Sequence, residues 1–271
     1  MEKKPTPLNP DFDRFAGDFD KYLPLIAPVG EAILKRLPPL KEGDMVLDVA
    51  CGTGEPGLSL ARKQKNVRIV GIDAVDNMIR IARQKSEQEG LKNIEFRTLK
   101  VEDLNLESET VVAAISRFGL AMFGDADSGA RQIARVLCPK GRFSIAVWHD
   151  MTKNTLVHTI TEVLQALLPS ESMASFSSAP GAHAKESFIN AGFVDIQEDE
   201  FHWDYQFANK DELEAFIRGV GTFMFESFFK LLQERGELAL EMTVEKLRPY
   251  EQASGAYAIP HTCNLIWGSK R

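Results

Sequence analysis

Cysteine is scarce: the chain has 3 in 271 residues, Cys51, Cys138 and Cys263, and no two of them share a C-x-x-C spacing. This speaks against a disulfide framework or a thiolate metal site, and the thiols read as reduced and intracellular. His158, His183, His202 and His261 are scattered without ligand spacing and read as structural, so no metal is expected. Positive charge is also short, since 32 Lys and Arg against 39 Asp and Glu leave a formal charge of −7. No basic run occurs, which argues against a nucleic-acid partner. No stretch of about 18 apolar residues is available to span a membrane. The amino-terminal MEKKPTPLNPDFDR lacks the apolar core of a signal peptide, so a cytoplasmic protein with no membrane partner is expected.

What is present is the composition of an ordinary globular chain, 44% hydrophobic and 26% charged, with length enough for one large α/β domain over residues 1–271. Its organising stretch is Met45–Leu58, MVLDVACGTGEPGL. An apolar run ends on Asp48 and gives way to a turn whose Gly52 and Gly54 let a ligand approach the backbone, after which a helix starts. The spacing Gly52-x-Gly54-x-x-Gly57 also satisfies the dinucleotide fingerprint. Asp48 and Glu55 would repel a pyrophosphate, however, and favour a cation or a hydroxyl-rich group.

The rest alternates strands and helices. Residues 1–10 read as a disordered arm, and Phe12–Leu37 as two short helices interrupted by Pro24 and Pro28. Strands are expected at 45–49, 67–72, 93–98, 111–115, 143–148, 193–201 and 262–268, the last antiparallel. Helices are expected at 58–65, 76–89, 125–137, 155–168 and 185–192, with a turn at Pro139-Lys-Gly141 and a Ser/Ala/Gly-rich loop at 170–182. Asp73 follows the second strand, 19 residues beyond Gly54, close to the roughly 20-residue offset at which an acidic side chain takes ribose hydroxyls. His149, just after the fifth strand, is the best-placed general base for taking a proton from a substrate. The apolar runs within 204–258, among them Met224 and Phe225, are too long for a hairpin turn and should form a helical cap with 151–182 over the active-site edge. Core packing accounts for most of those aromatics, with some lining a hydrophobic pocket.

Asp48-Val-Ala-Cys-Gly52-Thr-Gly54 resembles motif I of the class I S-adenosylmethionine-dependent methyltransferases. Ser116-Arg-Phe-Gly119 with Met122-Phe123, and Asn190-Ala-Gly-Phe193, are similar to the small-molecule branch that includes the quinone-biosynthesis enzymes. The resemblance spans about 44–200 and the last strand. It implies a doubly wound, Rossmann-like, seven-stranded, mostly parallel sheet, and S-adenosylmethionine as cofactor with S-adenosylhomocysteine as product. It further implies that Asp48, Ala50, Gly52, Gly54, Asp73, Ala74, Met78, Val101, Glu102 and Ser116 border the cofactor beneath an N-terminal segment, residues 12–37. Tyr22, Arg117, Phe118, Met224 and Phe225 are the substrate-side candidates. Tyr22 can equally pack against Phe19; Arg117 can hold the cofactor carboxylate, a substrate acid or a surface partner. Lys100 stands where the family commonly has an Asp for the adenine amino group, and it donates but cannot accept. The implied activity is methylation of a small apolar or aromatic metabolite by a monomer or homodimer. The alternatives are a protein of this fold that binds the cofactor without methyl transfer, such as a cyclase, or a nicotinamide-dependent oxidoreductase.

Overall fold

The computed structural model describes residues 12–120, 125–167, 183–224 and 226–271, apart from the side chains of Arg14 and 220–234. The expected arm at 1–10, the loop at 170–182 and Phe225 lie outside the described residues, as does the side chain of Met224.

Seven strands form one sheet: β1 (Met45–Val49), β2 (Arg68–Asp73), β3 (Ile94–Thr98), β4 (Val111–Arg117), β5 (Leu137–Trp148), β6 (Val194–Phe207) and β7 (Tyr257–Ser269), in the order β3-β2-β1-β4-β5-β7-β6. The pairs β1–β2, β1–β4, β2–β3 and β4–β5 are parallel, and β5–β7 is antiparallel. Strand β1 is apolar apart from Asp48 because it is covered on both faces, as an interior parallel strand must be. The chain runs outward to β2 and β3 on one side of β1 and to β4 and β5 on the other. The carboxyl ends of β1 and β4 therefore flank the crevice where doubly wound sheets bind ligands. The last strand in sequence is not the edge: β7 lies between β5 and β6.

The chain divides into two compact units. The first holds β1 to β5, the outer parts of β6 and β7, and the helices α1 (Phe12–Phe19), α2 (Leu23–Leu34), α3 (Gly57–Lys63), α4 (Asp76–Gln88), α5 (Ala126–Val136) and α7 (Ala184–Asn190). Its core joins Leu47, Val70, Ile72, Ile133, Phe143 and Ile266 to Phe188 and Phe193, with Phe143 stacked on Phe188 at 3.8 Å. The second holds α6 (Thr155–Leu167), α8 (Lys210–Met224), α9 (Glu226–Leu247) and the remaining ends of β6 and β7. Here α9 packs on both α6 and α8, with Lys246–Glu162 at 3.0 Å and Arg218–Glu237 at 2.9 Å at the seams. Within 204–258, residues 210–224 and 226–247 are helical, whereas 204–207 and 257–258 belong to strands.

Three local readings need correcting. The break between α1 and α2 falls at 20–22, ahead of Pro24, and Pro28 lies inside α2. Pro24 occupies the first turn, where no N–H is needed. The Pro139-Lys-Gly141 turn is absorbed into β5, because the Lys140 and Gly141 backbone pairs with Lys270 while Lys140 takes a φ of 66°. Ser116 and Arg117 are strand rather than loop, since they continue the register onto Ile145 and Ala146.

Candidate active site

The turn after β1 is wound by three left-handed residues, Ala50 (φ 54°), Gly52 (φ 54°) and Gly54 (φ 105°). For Ala50 this conformation costs on the order of 1–2 kcal/mol. Gly119, after β4, explains how Ala50 fits: a Cβ on Gly119 would come within 2.2 Å of the Ala50 Cβ. The absence of a side chain at 119 therefore lets the loops after β1 and β4 close on each other.

Asp48 is fully buried at the end of β1. Its Oδ2 accepts the Gly57 N–H at 2.9 Å, while Oδ1 has no hydrogen-bond partner among the described residues. Burial pushes its carboxyl up to about 8, against the opposing pull of the Arg117 charge and the Gly57 N–H. Asp73 ends β2 and accepts from Gly52 N–H and Val75 N–H, both at 2.9 Å; its carboxyl is also raised, by burial, with those N–H groups and that of Ala74 opposing. Glu55 turns away instead. It accepts from the Ser59 N–H and hydroxyl at the start of α3 and pairs with Arg62 at 2.7 Å, so the acids that characterise the turn are Asp48 and Asp73.

Phe19 covers the turn from α1: it is what a Cβ on Gly52 would meet, at 3.6 Å. Beside it, Asp20 accepts from the Thr53 hydroxyl and pairs with Lys85 of α4 at 3.0 Å. Tyr22 is half-buried and stacks on Phe15 with ring centroids 5.1 Å apart, and burial with the Asp18 charge raises its hydroxyl. Arg117 reaches from the end of β4 to donate to the Glu55 carbonyl at 3.0 Å and the Ile26 carbonyl of α2 at 3.5 Å, joining helix, turn and strand. A Cβ on Gly30 would lie 3.4 Å from that guanidinium and 3.2 Å from Pro56, so α2 approaches through a glycine. A groove of about 300 Å³ beside them is lined by Leu23, Ala27, Leu34, Pro56 and Arg117.

The other candidates divide. Met78 and Val101 are buried, and Ala74 is exposed. The Ser116 hydroxyl accepts the Leu120 N–H at 3.2 Å, and the Glu102 carboxylate accepts the Asp125 N–H at 3.1 Å, so each is engaged in shaping its loop. Phe118 takes a φ of 67° and stacks face to face on Trp148 at 3.9 Å. His149 follows Trp148 directly at the end of β5, and the neighbouring Asp150 is held low by the Thr152 N–H and hydroxyl. Asp20, the backbone contacts of Arg117 and the partnership of Trp148 escaped the sequence reading; a polar residue placed at the break between two apolar helical stripes was the available signal for Asp20. Among the described residues no cluster of His, Cys, Asp and Glu could hold a metal, and no helix is long and apolar enough to cross a membrane.

The methyltransferase domain family matches residues 40–209, more than half of the chain. The protein belongs to the class I S-adenosylmethionine-dependent methyltransferase family. The chain is 27% identical over 162 residues to the ubiquinone/menaquinone biosynthesis C-methyltransferase of Hydrogenovibrio crunogenus, covering 58% of this chain and 64% of that protein. It is 29% identical over 174 residues to the demethylmenaquinone methyltransferase of Corynebacterium kroppenstedtii, covering 62% and 72%. The chain thus spans a little under two thirds of the first of these. Among solved structures, Haemonchus contortus phosphoethanolamine N-methyltransferase 2, in complex with phosphomonomethylethanolamine and S-adenosylhomocysteine, superposes with a TM-score of 0.59 at 17% identity, covering 98% of this chain and 62% of that one.

The residues of the turn fit the family's cofactor, S-adenosylmethionine. An unpartnered buried carboxyl oxygen on Asp48, a second acid on Asp73 and backbone opened by Gly52 offer hydrogen-bonding partners that suit a hydroxyl- and ammonium-bearing molecule. Asp48, Gly52, Gly54 and Asp73 are the residues that would hold it, with the Phe118–Trp148 pair bordering the β4 and β5 ends.

Proposed function

We propose that the protein methylates a small aromatic or apolar metabolite, using S-adenosylmethionine as donor. The observation that carries this reading is the buried Asp48 carboxyl, with one oxygen unpartnered, at the crevice between β1 and β4 in a chain of this family. When bound, the cofactor supplies an electrophilic methyl on a sulfonium that departs as a neutral thioether. The protein's part is then largely to position: Asp48 and Asp73 orient, Gly52 and Gly54 admit, and Arg117 keeps the turn in place. His149 is assigned to take a proton from the acceptor. Tyr22, Arg117, Phe118, Met224 and Phe225 are assigned to the acceptor. The quinone-related names of the relatives support a quinol-like ring as acceptor and ring carbon as one atom to be methylated. The protein is taken to work in the cytoplasm, as a monomer or homodimer, without nucleic acid.

Calorimetric titration tests the cofactor: S-adenosylhomocysteine should bind and NADH should not, and binding by NADH alone would overturn the assignment. Release of S-adenosylhomocysteine with a panel of hydroxylated naphthalenes and quinols tests the transfer. Binding without release from any of them would leave a cofactor-binding protein of another activity. His149→Asn should lower kcat while leaving S-adenosylhomocysteine affinity unchanged.

A further inference from the structure

A buried side chain of the helical unit has no part in the site above. His261 lies in the inward row of β7, between Ile259 and Cys263, and is 1% exposed. Its Nδ1 is 2.9 Å from the Ile259 carbonyl oxygen. A carbonyl only accepts, so Nδ1 carries the proton and Nε2 presents a lone pair. Burial pushes the imidazole down to about 4, which keeps the ring neutral and Nε2 an acceptor at physiological pH. Nε2 is buried and has no hydrogen-bond partner among the described residues, an arrangement that costs free energy unless a donor comes to it. The ring stacks on Tyr205 at 3.6 Å with the planes 16° apart, and Trp203 is 5.7 Å away. Phe216 of α8 meets Tyr205 edge to face at 5.9 Å.

We propose that Nε2 of His261, beside Trp203 and Tyr205 and with Phe216 against the Tyr205 ring, forms a binding site for a planar aromatic compound bearing a hydroxyl group. An acceptor with its tautomer fixed asks for an O–H donor, and the stacked rings ask for a flat apolar body. A carboxylate would bring a second acceptor against Nε2. An ammonium would find no counter-charge on a neutral imidazole. Entry requires the packing around Nε2 to open, because the atom is sealed from solvent. Binding of this compound does not depend on the methyl-transfer reading.

The test is calorimetry on the full chain saturated with S-adenosylhomocysteine, comparing 1-naphthol with 1-methoxynaphthalene, which has the same ring but a capped oxygen. 1-Naphthol should bind at least about tenfold more tightly. His261→Phe, which keeps a flat ring against Tyr205, should abolish that preference, and His261→Gln, which keeps an acceptor near Nε2, should retain part of it. Without any substitution, the nitrogen-15 resonance of His261 Nε2, assigned by its loss in His261→Gln, should shift on adding 1-naphthol and stay fixed with the ether. Equal affinities, no binding of either compound, an unchanged preference in His261→Phe or a motionless resonance would each overturn the proposal. The heat of S-adenosylhomocysteine binding in the same samples reports separately on the methyl-transfer reading.

Discussion

Asp48 links the stability of the protein to pH. Its carboxyl titrates near 3.8 when exposed and near 8 in the folded chain, because burial favours the protonated form. Between those values the folded state holds a proton that the unfolded state has released, so stability declines as pH rises through that window and levels off above about 8. Asp73 is raised in the same direction. His261 acts oppositely: held at about 4 against an ordinary 6.5, it contributes stability that is lost as pH falls from 6.5 towards 4. Asp48→Asn keeps an acceptor for the Gly57 N–H and cannot ionise. The gap in Tm between this variant and the wild type should therefore widen in the variant's favour from pH 4 to pH 8, as followed by calorimetry without cofactor. Gly119→Ala provides a steric test. Its methyl would meet Ala50 at 2.2 Å, so overpacking should cost about 1–3 kcal/mol in urea titration and weaken S-adenosylhomocysteine binding, because the turn must shift.

The elements around the turn are held by side chains reaching across the sequence. Arg117 contacts Ile26 and Glu55, at separations of 91 and 62 residues. Replacing it with Lys keeps the charge and loses the planar fork, which should cost about 1–3 kcal/mol in denaturant titration. The same variant should weaken S-adenosylhomocysteine binding, because the Glu55 carbonyl is no longer held. Asp20 ties α1 to the turn through Thr53 and to α4 through Lys85. Asp20→Ala should lower Tm by a few degrees, because the buried Thr53 hydroxyl loses its acceptor while the partly exposed ion pair adds little, and should loosen cofactor binding several-fold in calorimetry. These contacts explain the limits of the sequence reading. β1, the glycine turn and Asp73 were legible because strand, turn and acid lie within 29 residues and each leaves a local signature. The Arg117 bridge was not, because its partners are backbone carbonyls supplied by other elements. Likewise, Pro139-Lys-Gly141 carries every local mark of a turn, yet pairing with Lys270 decides its conformation. The β6 and β7 ends were underestimated because two strands that continue beyond the parallel sheet have no punctuation at the point where the units divide.

At the scale of the whole molecule, the formal charge of −7 bears on partners. A protein that held nucleic acid through phosphate contacts would need a basic surface to offset this, and its binding would fall steeply with salt. No mobility shift of a tRNA or duplex DNA probe is expected even at low ionic strength; a shift that salt abolishes would reverse the assignment of a small-molecule acceptor. The edge of the sheet carries acids of its own. Asp195, Glu198 and Asp199 are exposed on β6, with Glu198 paired to Lys185 and Asp199 to Arg36. Charge on an edge strand discourages pairing with a second sheet.

The place of β7 between β5 and β6 has a consequence for synthesis on the ribosome. β6 leaves the ribosome some 50 residues before its neighbour in the sheet begins at Tyr257. Until then β5 has an open flank and β6 nothing to pair with, so the nascent chain holds exposed strand edges during the interval in which chaperones act. Slowing translation after Phe207 should lengthen that interval and raise the aggregated fraction, whereas slowing it before Leu137 should have little effect.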